Sequence, residues 1–204
     1  MPKLSSEPIS PKEFMEEFIP SVIAEATLDA EIDIKLGVKI DGGGGGEWLV
    51  HISGGSCKVD EAARDEAAFT LGQPVEDWRG ALWEGRGGVF GQQASALLTS
   101  GAIGGENAPR PNAQVIEQLA ALGGLIQITV TEGEGGDWST GIKLGPGALP
   151  DAPTTEVNIA AADAEAMQSG TLDPMQAFMS GKIQVMGDMA LMMQMQAIAM
   201  QAGS

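Results

Sequence analysis

IDIKLGVKIDGGGGGEWLVHIS (residues 32–53) and LIQITVTEGEGGDWSTGIKL (residues 125–144) decide how this chain folds. In the first, Ile32, Ile34, Leu36, Val38 and Ile40 alternate with Asp33, Lys35, Gly37 and Lys39, the period-2 pattern of a strand with one buried face. A glycine run, Gly42 to Gly46, turns the chain into a second alternating stretch through Trp48, Val50 and Ile52. The later stretch repeats the design with Ile126, Ile128 and Val130 before its glycines and Trp138, Thr140, Ile142 and Leu144 after them. Both read as β-hairpins. Trp48 and Trp138 stand 90 residues apart, so the hairpins belong to an internal repeat.

The repeat extends outward. Before the first hairpin, Ser10 and Glu13 form a capping box with Pro11 at the first helical position, opening a helix over EFMEEFIPSVIAEA. Asn112 caps a second helix, AQVIEQLAAL, ahead of the other hairpin. EAAFTL and TEVNIA follow as short third strands, each leading into a helix expected to stop at Gly80 or at Gly170. The Gly/Pro/Asn run GAIGGENAPRPN, residues 101–112, reads as a linker between copies. After the second copy, Asp173 and Pro174 start a short helix that Gly181 ends. Ile183 and Val185 then mark a last strand, and Asp188 caps a final helix.

Composition removes several functions. Among 204 residues, 28 are acidic and 11 basic, a formal net charge of −17 that repels phosphate backbones, so no nucleic-acid partner is expected. Lone Cys57 and lone His51 supply neither a disulfide, a zinc cluster nor a histidine triad, and no cofactor or metal is expected. His51 reads as a surface residue, and Glu16/Glu17 and Glu76/Asp77 as solvated acidic pairs. Gly42 to Gly46 has no Lys-Ser/Thr after it, so it is a turn and not a phosphate cradle. The start lacks an apolar leader and no long apolar span occurs, which points to a soluble, cytoplasmic protein.

Charge is shared between the halves, with 9 basic and 18 acidic residues in 1–110 against 2 and 10 in 111–204. Methionine is not. Nine of the 11 methionines fall in residues 167–204. On the final helix Met189, Met192, Met193, Gln196 and Met200 share one face, and Leu191, Met195 and Ile198 share another nearly opposite. A helix apolar on two sides needs two covers. One is the sheet; the other is either more protein or a bound apolar molecule, to which flexible methionines adapt well.

The order of elements, and DPMQAFMSGKIQVMGDMALMMQMQ (residues 173–196) above all, resembles the sterol carrier protein type 2 (sterol-binding) domain family. The shared features are a Gly-x-Trp hairpin, the Gly187-Asp188 pair after the last strand, and a Met/Leu-Gln helix. The resemblance covers residues 112–204, with 12–102 as a degenerate copy in which ALWEGRGGVFG replaces DPMQAFMSGK. It implies an α+β fold of two tandem units, each a largely antiparallel twisted sheet of about five strands with helices on one face, arranged as a pseudo-dimer. Residues 1–11 would form a flexible arm and 103–111 the linker. Trp48 and Trp138 would anchor the two sheets, and Trp78 and Trp83 would pack at the junction.

The function so implied is a non-enzymatic lipid carrier holding a sterol, fatty acid or fatty acyl-CoA in an apolar tunnel under the C-terminal helix. Candidate contacts are Phe178 and Met179 of the short helix, Met186 of the last strand, and Met189, Met192, Met193 and Met200 of the final helix. Trp138 and Ile142 of the second hairpin complete the apolar set. Gln196 falls at the family's tunnel glutamine and would be the polar handle. Expected partners are the lipid, transient membrane contact and the other unit of the same chain. The competing reading is a protein-interaction or scaffold module whose own side chains fill the cavity. No nucleophile, base and orienting group stand together, so lipid enzymology has little support.

Overall fold

The computed structural model describes residues 4–25, 33–61, 65–92 and 113–202, with the side chains of 113 and 199–202 outside that description. Asn112 and the linker 103–111 lie outside the described residues, as does Ile32.

Ser10 accepts from Glu13 N at 3.1 Å with Pro11 behind it, and the helix it starts (α1) runs through Pro11–Glu13, a π-helical turn Phe14–Phe18, and Ile19–Glu25. The first hairpin is β1 (Asp33–Asp41) and β2 (Gly46–Ser53). Gly42 at φ +117° and Gly44 at φ +78° make its turn, a backbone that side chains rarely adopt. A two-residue turn at Gly54-Gly55 adds β3 (Ser56–Asp60), a strand the repeat does not announce. β4 (Phe69–Pro74) leads into α2, Val75–Arg79 continued by a π-helical turn Gly80–Glu84.

In the second half come α3 (Ala113–Leu122), β5 (Leu125–Thr131), β6 (Trp138–Leu144) and β7 (Thr155–Ala160). They are followed by α4 (Ala161–Gln168), α5 (Pro174–Met179), β8 (Ile183–Gly187) and α6 (Met189–Ala202). Asp173 accepts from Gln176 N at 3.0 Å and Asp188 from Ala190 N at 2.8 Å, so both late caps form as their sequences direct.

The halves repeat one pairing scheme. β1 pairs antiparallel with β2 and parallel with β4; β5 pairs antiparallel with β6 and parallel with β7. They do not, however, form two sheets. Among the described residues a single eight-stranded mixed sheet runs β3-β2-β1-β4-β6-β5-β7-β8, and each half contributes four strands to it instead of about five. The joint is β4 against β6, antiparallel, with Leu71 opposite Ile142 and Gly72 opposite Gly141. Both would otherwise be edge strands with a row of unpaired N–H and C=O groups, and pairing satisfies both rows. The α+β class stands, with helices over the sheet face that carries the apolar residues.

Other expectations change for local reasons. Gly80 does not end α2: it is right-handed, and Gly85 at φ +70° is the stop. A Cβ on Gly80 would lie 2.5 Å from the Arg86 Cδ, so glycine is there to admit that side chain. Trp78 and Trp83 do not pack at the junction. The π turn places residues five apart on one side, so their rings meet at 5.2 Å, and both join Phe14 in the first-half core. Trp138, in contrast, lies where the halves meet. Residues 4–9 lie along the first-half core, with Leu4 and Ile9 packed on it and Trp83 Nε1 donating to Ser5 O at 2.8 Å.

Candidate functional site

The apolar positions of β5 fix one wall of a cavity. Ile126 and Ile128 share a face, and strand register sets Ile142 of β6 opposite Ile126, Val157 of β7 opposite Ile128, and Ile183 of β8 opposite Ile159. These six aliphatic side chains form a floor. The roof is Met167 of α4 with Met192 and Met195 of α6, and Phe90 from the first half stands at one side. The space is about 190 Å³ and no polar atom faces it.

Such a space offers burial and shape but no proton donor, nucleophile or charge. Titratable groups with resolved shifts lie elsewhere. Burial pushes the Cys57 thiol up within the first-half core, as expected of an unreactive thiol. The Lys35 ammonium holds the exposed Glu66 carboxyl down by hydrogen bonding. His51 sits on the polar side of β2, 2.7 Å from Asp33 Oδ1. One polar group borders the cavity floor. Thr140, cross-strand from Ile128 and two residues from Ile142, is buried, and its hydroxyl has no hydrogen-bond partner.

Ile142 and Met192 are the two sequence-derived candidates that line the cavity. The others are distributed by helix and strand geometry. At about 100° per residue, Leu191, Met195 and Ile198 span one narrow arc of α6, and Met192 lies at its edge. That arc faces the sheet, since Leu191 and Ile198 are buried, so the opposite arc faces out: Met193 is 68% exposed, Met189 is 38%, and Gln196 is exposed too. The Met200 side chain lies outside the described residues. On β8, Ile183 and Val185 take the apolar face, so Met186 emerges on the other beside Glu156. Phe178 and Met179 are exposed on α5. Met195 reaches the cavity from the arc assigned to the sheet. The floor residues had their signal in the strand alternation, whereas Phe90 had none in its own stretch.

Trp138 occupies the joint between halves. Its Nε1 donates to Asp77 O at 2.9 Å, while Ser139 N and Oγ donate to the Asp77 carboxylate at 3.1 and 3.0 Å. Arg86 Nη2 donates to Asp137 O at 2.6 Å and lies 3.6 Å from Asp77 Oδ1. Asp77, expected on a solvated face, is therefore a buried bracket between α2 and β6. Above it Ala81 and Val89 of the first half pack with Val130, Trp138 and Ile159 of the second.

The second half of the chain is similar to known proteins. Residues 107–200 match the SCP-2 sterol transfer family. Sterol carrier protein 2 of Rattus norvegicus is 32% identical over 92 residues, 42% of this chain and 17% of that protein. The Homo sapiens protein of that name is 32% identical over 90 residues, 41% of this chain and 16% of that protein. The chain thus spans roughly a sixth of the length of these relatives. Among solved structures, the sterol carrier protein domain 2 of Helicoverpa armigera is 26% identical, covering 43% of this chain and 72% of that one with a TM-score of 0.32. Sterol carrier protein 2 of Yarrowia lipolytica is 15% identical, covering 44% and 77% with a TM-score of 0.31. The family resemblance read from residues 112–204 is shown by the match over 107–200.

Proposed function

We propose, from the SCP-2 sterol transfer match in residues 107–200, that this protein is a non-enzymatic carrier of an apolar small molecule, its cargo a sterol, fatty acid or fatty acyl-CoA. The observation that carries the reading is the 190 Å³ cavity with no polar atom facing it, roofed by three methionines. Its mechanism is partitioning: each Å² of apolar cargo taken from water contributes about 25 cal/mol, with no bond made or broken. Methionine roof residues repack around guests of different outline. The space exceeds the ~150 Å³ that holds a benzene and falls short of the ~300 Å³ where drug-sized pockets begin. It encloses one end of such a cargo, and α6 moves outward as a lid to admit more. The repeated pairing scheme is the trace of two tandem units fused as a pseudo-dimer, with cargo in the second.

Native mass spectrometry of the protein from cell extract, with displacement of a fluorescent fatty acid, tests the reading. Bound lipid and displacement are expected; an apo mass together with no displacement sinks it. One observation favours a second reading, a protein-interaction module. Met175, Phe178, Met179, Met186, Met189 and Met193 are exposed within 19 residues of chain, more than singly scattered apolar side chains amount to. Met193→Ala should leave fatty-acid affinity unchanged and weaken any partner complex, and Met192→Ala should do the reverse.

A further inference from the structure

The first half lacks the Met-rich helix, yet it reaches into the cavity of the second. We infer that Phe90 is a cross-half stop that sets the length of acyl chain the second half accepts. This rests on the carrier reading above.

Phe90 lies in the helical turn 88–92, and its placement is set from the joint. Gly87, at φ +78°, lies against the indole of Trp138, where a Cβ would be 2.7 Å from the ring. The adjoining Arg86 is fastened to Asp137 O and Asp77. Phe90 N donates to Gly87 O at 3.1 Å, and Val89 beside it is buried among Val130 and Ile159. So a glycine-rich turn that could place a ring anywhere is fastened to the joint, and Phe90 comes to rest in the cavity lining, which also includes Ile142 and Met192.

Beyond it the apolar face continues. Leu71 of β4 is the cross-strand partner of the cavity-lining Ile142, and it stands 37% exposed on the same face. Phe90 is 36% exposed. The ring thus lines the cavity while itself partly open to solvent, and the same sheet face is open again at Leu71, one strand away from Ile142. Removing the phenyl group opens room for a further stretch of chain beside the cavity. Each methylene that the added space buries should tighten binding by about fourfold.

The test is displacement of a fluorescent fatty acid by saturated fatty acids from octanoate to stearate, on the full chain and on Phe90→Ala, Phe90→Trp and Phe90→Ala/Leu71→Ser. The expected result is an optimum at a short chain for the natural protein, moved at least two methylenes longer in Phe90→Ala and shorter in Phe90→Trp. Leu71→Ser should cut the gain for the longest chains, because Leu71 is what they would cover. An unmoved optimum in variants that melt like the natural protein overturns the stop while leaving the carrier reading intact. Binding of no fatty acid by any of these proteins overturns the carrier reading, and this inference with it. Phe90 is half exposed, so its replacement is not expected to unfold the chain; Phe90→Leu, with an intermediate shift expected, serves if Phe90→Ala does.

Discussion

The two halves of the sheet share a pairing scheme and a face of alternating apolar residues, yet one is covered by packed aromatic rings and the other by methionines over a cavity. Over the first half, α1 lowers Phe14, Met15 and Phe18 onto Trp48 and Trp78, with ring centroids 5.2–6.2 Å apart around Phe14, Phe18, Trp78 and Trp83. Aromatic rings are rigid and bury large apolar areas. Over the second half the cover is Met167, Met192 and Met195 above isoleucines and valines, and a void remains. The sheet does not distinguish a core from a binding cavity. The side chains of the cover do.

Trp48→Ala should break the aromatic half, costing ~3–5 kcal/mol in chemical unfolding, because Trp48 is 1% exposed and its layer cannot collapse around the gap. If the cost is under 1 kcal/mol, the first half is not the packed scaffold described above. Asp77→Ala addresses the joint. It leaves Ser139 N and Ser139 Oγ without their acceptor and Arg86 without its ion-pair partner, and a loss of about 2–3 kcal/mol is expected in the same measurement. Unaltered stability would mean that β4–β6 pairing alone joins the halves.

Met192→Ala sharpens the contrast from the cavity side. A side chain bordering a void has fewer neighbours to lose, so its replacement should cost no more than ~2 kcal/mol, the low end for buried methionine, while fatty-acid affinity falls several-fold. A larger stability loss with affinity intact would make the second half a core like the first. Thr140→Val removes a buried hydroxyl that has no partner, and a gain of about 1 kcal/mol with unchanged binding is expected. Loss of binding instead would make Thr140 the polar anchor of the cargo.

The smallest effect belongs to the exposed Lys35–Glu66 pair. The folded Glu66 carboxyl lies below its usual range, so its contribution is present above the unfolded value and disappears as pH falls through the folded one. Glu66→Gln should lower neutral stability slightly and leave the acid end unchanged, which flattens the acid limb of a stability–pH profile by the little expected of a solvated pair. A large drop at neutral pH would mean that the pair positions β1 against the 65–68 segment.

Local signals in the chain were strong where the chemistry is local. The capping oxygens of Ser10, Asp173 and Asp188, the glycine turns and the strand alternations each act within a few residues, and the elements formed there. The helical arcs of α6 were also legible, but not which arc faces inward. Sequence made Met193 and Gln196 candidates equal to Met192, and only the sheet beneath could rank them. Asp77 looked like a surface carboxylate because its partners, Arg86 and Ser139, are 9 and 62 residues away.

By itself, the sequence determined the strand and helix order, the matching hairpins with Trp48 and Trp138 90 residues apart, and the resemblance of residues 107–200 to the SCP-2 sterol transfer family. Periodicity, caps and turns carry those facts without reference to distant neighbours. The single sheet, the buried joint at Asp77, the orientation of α6 and the arrival of Phe90 at the other half's cavity were decided by tertiary structure alone. Each depends on which surfaces meet across tens of residues, and pairing two edge strands or burying one helix arc over another is settled by the whole packed molecule.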